Sequence, residues 1–137
     1  MTVQIDWLVP NTVILIRHSG AMTEEEIVKN SDDTIAMINS SDAKIIHVII
    51  DSTAVTTSPP LPAAVRVAKA APKHEREGWI ITVGGQNPVV KFVMSVSRSL
   101  LKVRTQNYET LMEAIAFLKT MDETLDWSQA RMELISS

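Results

Sequence analysis

The amino-acid sequence predicts an α/β fold with a mixed, mostly parallel sheet of about five strands and four or five helices. Apolar strand-like segments alternate with segments of helical spacing, which is the pattern of βαβ crossovers. Residues 44–51 are rich in β-branched side chains without polar alternation, which predicts a central strand buried on both faces. A short polar break separates the first two strand-like segments and predicts an antiparallel hairpin. The expected order is β-β-α-β-α-β-α-β-α.

The length and composition are those of one globular domain. The 137 residues are 45% hydrophobic and 21% charged, and the net charge is -3. The mild acidity and the aromatic content of 4% argue against a nucleic-acid partner, which requires a basic face or a base-stacking platform. The absence of cysteine excludes disulfides, thiolate metal ligands and cysteine nucleophiles. We expect no metal and no cofactor.

No segment predicts export or insertion into a membrane. The N-terminal residues lack the basic region and the long apolar core of a signal peptide. No apolar run approaches the roughly 20 residues that span a bilayer. We therefore expect a cytoplasmic protein without integral membrane association.

The first half of the chain supplies the hairpin, a helix and the central strand. Residues 3–9 alternate apolar and polar side chains, as a half-buried strand does, and residues 12–17 form the second strand. Thr23 followed by Glu26 is a capping box, which predicts a helix that ends near residue 40. The central strand over 44–51 comes next.

The second half continues the alternation of helices and strands. Prolines at the first turn of a helix are favoured, so Pro62 and Pro88 begin helices. The expected elements are a helix over 62–71, a strand over 79–83, a helix over 88–101, an edge strand over 102–105 and a helix capped by Asn107. Residues 1–121 are expected to form the domain and 122–137 a tail. In the tail, Ser128 is the expected cap of a short helix that packs on the domain or on a partner.

A polar segment follows the central strand. Asp51 ends the strand, and functional groups collect at the carboxyl ends of parallel strands in open α/β sheets. Gly84 and Gly85 lead from the next strand into a helix, where backbone N–H groups can hold an anion. The candidate binding rim for a ligand or partner consists of Asp51, Ser52, Thr53, Ser58, Gly84 and Gly85. The alternative is that the short polar side chains only satisfy loop backbone groups and that the glycines form a tight turn. No catalytic motif stands in this segment.

The helix predicted over 88–101 carries more apolar residues than one buried face requires. Val90, Met94 and Leu101 are the surplus. A fully buried helix, a self-association surface or an apolar ligand groove would each explain them. Trp127 in the tail needs cover from the domain or from a partner. These four residues form the candidate interaction surface, and a homodimer is one expectation.

The order of elements, with a strand pair first and an aspartate at the end of the next parallel strand, resembles the STAS fold. STAS domains include bacterial anti-anti-sigma factors and the cytoplasmic tails of sulfate transporters. Within that fold the chain is similar to the SpoIIAA-like family, also described as STAS/SEC14-like. The matching segments are 20–26, 44–51, 73–84 and 103–118.

The resemblance implies a non-enzymatic regulatory or protein-interaction module. Anti-anti-sigma factors carry a phosphorylatable serine at the start of the helix after the central strand. With Asp51 aligned, that position falls on residues 59–61, where no serine stands, and Ser58 is a displaced candidate. We therefore expect a module without the phosphoserine switch. The SEC14 side of the resemblance implies an alternative, a carrier or sensor of a small apolar or lipid-like ligand.

A catalytic role has the least support. His18 and His47 are candidate bases, but no nucleophile pairs with either in the sequence. His47 lies inside an apolar strand, which favours a histidine of the core. His18, Asp51 and His74 lack the spacing of metal ligands. A small hydrolase that uses Asp51 and a histidine is the weakest alternative.

Overall fold

The computed structural model describes residues 2–57, 59–70, 74–84 and 104–135. These residues form five strands and three α-helices, followed by two short 3₁₀ helices. The strands are β1 (Thr2–Val9), β2 (Val13–Ala21), β3 (Ile46–Thr57), β4 (Glu77–Val83) and β5 (Thr105–Tyr108). The helices are α1 (Glu24–Ser40), α2 (Leu61–Ala70) and α3 (Leu111–Met121), and the 3₁₀ helices are Trp127–Gln129 and Met132–Leu134.

The five strands form one sheet in the order β1-β2-β3-β4-β5. β1 and β2 pair antiparallel, and the three remaining pairs are parallel. The turn between β1 and β2 places Asn11 in the left-handed conformation at φ 67°, which asparagine tolerates better than most residues. The α/β class, the hairpin and the mostly parallel sheet are therefore confirmed.

The predicted central strand is central. Ile46, Val48 and Ile49 of β3 are each at most 2% exposed. Ile49 belongs to the core cluster beneath α3, with Leu15 and Ile81 beside it, and Ile46 and Val48 belong to the cluster beneath α1. Full burial of one such side chain stabilises a protein by roughly 1.5–3 kcal/mol. The β-branched residues of β3 thus contribute to the core clusters on both faces of the sheet.

Helix α1 begins at the predicted cap and ends with help from a distant arginine. The Thr23 hydroxyl accepts a hydrogen bond from the backbone N–H of Glu26 at 3.2 Å. No basic side chain lies in the last turn of α1, but Arg76 reaches it from the loop before β4. Its guanidinium donates to three main-chain carbonyls, those of Ile38, Ser41 and Ala43, over 2.6–2.9 Å. Arg76 thereby ties the entrance of β4 to the end of α1.

Strand β3 extends beyond Asp51, so the prediction of a loop from residue 52 onward was wrong. β2 runs beside it as far as Ala21, and the pairing continues to Ala21 and Thr57 through two register shifts. Ala54, Val55 and Thr57 of this segment therefore pair with β2, whereas the Thr53 N–H bonds to the Asp51 carboxylate. β-branched residues are frequent in this segment and suit a pleated strand.

The last strand and the last helix begin later than predicted. β5 covers Thr105–Tyr108, so Asn107 lies inside a strand and does not cap a helix. The Asn107 side-chain oxygen accepts a hydrogen bond from the buried hydroxyl of Thr82 on β4 at 2.9 Å. Thr110 caps α3 instead, in a capping box with Glu113.

The tail packs on its own domain and contains no α-helix among its described residues. Asp126, not Ser128, caps the first 3₁₀ helix by accepting from the Ser128 N–H at 3.1 Å. Leu125 is buried in the core beneath α3. The backbone N–H of Arg131 donates to the carbonyl of Leu8 on β1 at 2.7 Å. These contacts fasten the tail across the α3 face of the sheet.

The helix predicted over 88–101 lies outside the described residues. Helix α2 begins at Leu61, one residue before the predicted start at Pro62. In the described ranges, no helix combines the length and the apolar character that a membrane crossing requires.

His47 is a histidine of the core. Its ring accepts a hydrogen bond at Nδ1 from the backbone N–H of Trp79 at 3.0 Å, so Nε2 carries the proton that is donated to Asp122 at 2.9 Å. Burial alone would raise the pKa of Asp122, but hydrogen bonds from Thr124 and His47 outweigh it, and the net pKa is lowered. The pair joins β3 to the end of α3.

Candidate functional site

A row of five paired residues crosses the sheet, midway along β2 and β3 and at the carboxyl ends of β4 and β5. The strand register aligns Gln4, Arg17, Asp51, Val83 and Tyr108. Because side chains alternate along a strand, Arg17 and Asp51 share the face of Leu15 and Ile49, which α3 covers. The row therefore lies one step beyond the apolar core, beneath the first turn of α3.

Arg17 and Asp51 form the polar centre of this row. Arg17 Nε lies 3.8 Å from Asp51 Oδ2, and the two side chains are 24% and 14% exposed. The other carboxylate oxygen, Oδ1, accepts hydrogen bonds from the Thr53 backbone N–H at 3.0 Å and from the Thr53 hydroxyl at 2.7 Å. This local turn fixes the orientation of the carboxylate. In this orientation the second carboxylate oxygen, Oδ2, faces Arg17.

A cavity of about 610 Å³ opens above the row, a volume within the usual range for sites that bind small molecules. It lies between the carboxyl ends of the strands, the start of α3 and the end of the tail. The described residues that line it are Gln4, Arg17, His18, Ser19, Asp51, Thr53, Ala54, Val83, Glu109, Thr110, Leu111 and Ile135. The cavity thus combines charged and hydroxyl groups with aliphatic side chains.

Gly84 shapes the rim through its backbone. Its φ of +86° is a conformation that favours glycine, and a Cβ built at this position would lie 2.8 Å from the Thr53 backbone. The Gly84 N–H donates to the carbonyl of Tyr108 at 3.0 Å. Because this bond occupies the Gly84 N–H, that group does not hold an anion here. The close approach to Thr53 explains why glycine is needed at this position.

His18 faces α1, although it is also among the lining residues. The ring is 7% exposed, and its Nε2 accepts a hydrogen bond from the side-chain amide of Asn30 at 3.0 Å. Burial lowers the pKa of His18, and the nearby carboxylate of Glu26 opposes that effect only in part. Within the described residues, Nδ1 has no hydrogen-bond partner. The neutral ring with its proton on Nδ1 satisfies this geometry.

The structure brings together only part of the predicted rim. Asp51 and Thr53 line the cavity and Gly84 packs beside it, whereas Ser52 is buried and is not a lining residue. Ser58 and Gly85 lie outside the described residues, as do three of the four residues of the candidate interaction surface, Val90, Met94 and Leu101.

Trp127, the fourth of those residues, is covered by its own chain. It packs against the core cluster beneath α3. The Lys119 ammonium lies 5.6 Å from the centre of its ring, a cation–π contact. Its buried Nε1 has no partner among the described residues. The domain therefore supplies part of the cover that the sequence predicts for Trp127.

Several lining residues were not among the predicted site residues. Arg17 ends the apolar run of β2, and a charge at that place is a usable signal once β2 is paired with β3. Leu111 and Ile135 reach the cavity from α3 and from the tail. Their roles depend on tertiary packing, for which the local sequence carries no signal.

The residues considered as a metal set do not form one. His74 lies in the loop before β4, where its Nε2 contacts the side-chain oxygen of Asn39 at 2.8 Å, whereas His18 and Asp51 line the cavity. Throughout the described ranges, no group of three His, Asp or Glu side chains is arranged to hold a metal ion.

Comparison with known proteins provides no family for this chain. No protein-family model matches it, and no curated protein does so either. The similarity to the STAS fold and to the SpoIIAA-like family therefore stays a prediction from the sequence.

Proposed function

We propose that this protein is a non-enzymatic regulatory module of the STAS type, which acts by binding a protein partner at the carboxyl rim of β2, β3 and β4. The observation that carries this proposal is the Arg17–Asp51 pair, held at the floor of an open cavity at that rim. Carboxyl ends of parallel strands are the usual place for binding sites in open α/β sheets. The initial hairpin and the sequential parallel strands that follow it also support the STAS assignment.

The contacts of Asp51 favour recognition over catalysis. A general base needs a hydrogen-bonded path to the proton that it removes, and a nucleophile needs an adjacent base. Asp51 is instead engaged by Thr53 and Arg17. His18 shares the cavity lining, but its Nε2 is engaged by Asn30. Asp51 and His18, the residues of the hydrolase alternative, therefore line one cavity but do not bond to each other.

Removal of the Asp51 carboxylate tests the proposal. The tagged chain, Asp51→Ala and the matched control Asp42→Ala are used to enrich partners from an extract of the source cells. Asp42 is an exposed carboxylate in the loop before β3 and does not line the cavity. We expect the chain and Asp42→Ala to retain the same protein, and Asp51→Ala to lose it with little change in melting temperature. Equal retention by all three would refute the rim as the binding surface.

The cavity favours a second candidate function, the carrier or sensor of a small ligand. Val83, Leu111 and Ile135 add aliphatic surface to the polar floor, and ligand sites commonly combine such walls with a few polar groups. Native mass spectrometry of the purified chain, before and after extraction with organic solvent, tests this candidate. A bound mass that extraction removes would support it, and identical spectra would count against a retained ligand.

A further inference from the structure

Strand β1 lies at one margin of the sheet, with β2 as its neighbour on the inner side. The tail closes the outer side of β1 at Leu8, whose carbonyl accepts a hydrogen bond from the Arg131 N–H at 2.7 Å. In the described part of the chain, no other main-chain hydrogen bond joins the tail to β1. Residues 3–7 therefore keep an unpaired outer side, and we call this segment the open edge.

The strand pairing shows which main-chain groups of the open edge face outward. The His47 N–H donates to the Thr12 carbonyl at 2.9 Å, and with the β2–β3 register this directs the main-chain groups of Ile14 toward β3. Trp7 is the partner of Ile14 on β1, so this pair exchanges no hydrogen bonds and the groups of Trp7 face away from β2. By alternation along the strand, outward N–H and C=O groups belong to Val3, Ile5 and Trp7.

The side chains of the open edge suit the addition of a further strand. Val3, Ile5 and Trp7 are half-buried against the core cluster beneath α1, so an added strand would cover the surface that they still expose. The open edge contains no lysine or proline, the residues that commonly deter strand addition. β5 at the opposite margin, by contrast, has only four residues and follows the exposed side chain of Arg104.

The open edge is self-complementary when it pairs antiparallel with a second copy about Ile5. Ile5 then lies opposite itself and Val3 lies opposite Trp7 of the second copy, so apolar side chains meet on the α1 face. On the other face Gln4 lies opposite Asp6 of the second copy, where a side-chain amide can donate to a carboxylate. A register centred on Asp6 would place two carboxylates opposite each other, which is destabilising. Pairing about Ile5 also uses the full length of the open edge.

We propose that the protein forms a symmetric homodimer in which the open edges of two copies pair antiparallel about Ile5 and join the two sheets into one. The two-fold axis makes the interface isologous, so the same residues serve on both sides. This surface differs from the candidate interaction surface of the sequence, which includes Val90, Met94 and Leu101. The inference goes beyond the proposed function, because it does not depend on a partner at the carboxyl rim.

Sedimentation velocity and amide hydrogen exchange of the full chain test the inference. Between about 1 μM and about 1 mM, the sedimenting mass should rise from 15.2 kDa to twice that value. The amides of Val3, Ile5 and Trp7 should exchange more slowly at the high concentration, whereas those of Gln4 and Asp6, which face β2, should not change. A monomer at every concentration, or a dimer without slower exchange of the outward amides, would overturn the inference.

Charge variants at Gln4 test the register. Gln4 is exposed, so its replacement leaves the fold intact. Gln4→Lys should tighten the dimer about threefold or more and Gln4→Glu should weaken it as much, because the symmetry places each new charge opposite Asp6 twice. The matched controls Ala116→Lys and Ala116→Glu, exposed on α3 above β4 and β5, should change nothing. Equal dissociation constants for the two Gln4 variants, or the reverse order, would overturn the inference.

Charge variants at Ile5 test the position of the two-fold axis. Ile5→Lys or Ile5→Glu alone places two like charges opposite each other, so each variant should be monomeric, whereas an equal mixture of the two should form a heterodimer. Native mass spectrometry identifies the heterodimer by its mass, and circular dichroism verifies that each variant is folded. Folded variants whose mixture contains no more dimer than either variant alone would overturn the inference; if either variant fails to fold, the Gln4 series decides.

Discussion

Gly78 and His47 provide a direct test of how the lower end of the sheet is packed. A Cβ atom built on Gly78 would lie 2.6 Å from His47 Nδ1 and 2.7 Å from the Cγ2 atom of Ile45. Nδ1 is the atom that accepts the N–H of Trp79, and Nε2 of the same ring donates to Asp122. The substitution Gly78→Ala therefore forces the ring to move and breaks at least one of these hydrogen bonds.

The cost of Gly78→Ala follows from three contributions. Overpacking a core site costs about 1–3 kcal/mol, and a buried polar group that loses its partner costs about 1–3 kcal/mol more. Alanine in a strand regains about 0.5–1 kcal/mol relative to glycine. The expected loss is therefore about 3 kcal/mol of unfolding free energy. With the ring removed by His47→Ala, the same substitution should cost less than about 1 kcal/mol, because exposed Ile45 can move aside.

Urea denaturation followed by far-UV circular dichroism measures this difference. The unfolding free energies of the chain, the two single variants and the double variant form a double-mutant cycle. We expect a coupling free energy of about 2–3 kcal/mol between positions 47 and 78. A loss from Gly78→Ala that is equal with and without the His47 ring would refute the packing described for this site.

Three further predictions follow from other contacts. Because burial lowers the pKa of His18 below its ordinary value of 6.5, its contribution to stability is complete above that pH and is lost as the pH falls toward the lowered pKa. Unfolding free energy measured between pH 7 and pH 5 should therefore fall more steeply in the wild-type chain than in His18→Gln, and parallel profiles would contradict this. Arg76→Met should cost about 2–3 kcal/mol, because three main-chain carbonyls at and just after the end of α1 lose a charged donor, whereas exposed Arg131→Met should cost less than about 1 kcal/mol in the same urea titration. The double variant Arg17→Met with Asp51→Leu should be as stable as the wild-type chain or more stable in thermal unfolding, and yet fail to enrich the protein partner; a loss of several kcal/mol would show that the pair holds the fold together.

The parts of the fold that the sequence predicts correctly are those with a strong local signal. The β-branched run of 44–51 predicts a strand that is covered on both faces, and Ile46, Val48 and Ile49 of β3 are buried as expected. Thr23 and Glu26 specify a helix start by the hydrogen bond that they make, so the beginning of α1 is predicted to the residue. Asp51 lines the cavity, but β3 continues to Thr57, so the predicted strand end at Asp51 was wrong and its role as a binding residue stays a prediction.

The errors arise where partners distant in sequence decide the structure. β5 is a polar strand, Thr105-Gln-Asn-Tyr108, without a hydrophobic pattern, and it is held by pairing with β4 and by the bond from the Thr82 hydroxyl to Asn107. The extension of β3 to Thr57 depends on the length of β2. The pairing of Arg17 with Asp51 requires the register of two strands that a helix separates, and no local pattern supplies it.

The position of Arg17 and Asp51 is itself an argument for function. Their neighbours one step toward the core, Leu15 and Ile49, are apolar and at most 2% exposed. Continuing that pattern would extend the apolar core toward the first turn of α3, and apolar replacement of a buried ion pair is often neutral or stabilising. The distance of 3.8 Å between Arg17 Nε and Asp51 Oδ2 is longer than a hydrogen bond, and both side chains are mostly buried. This placement supports the proposed recognition of a ligand or partner at the cavity.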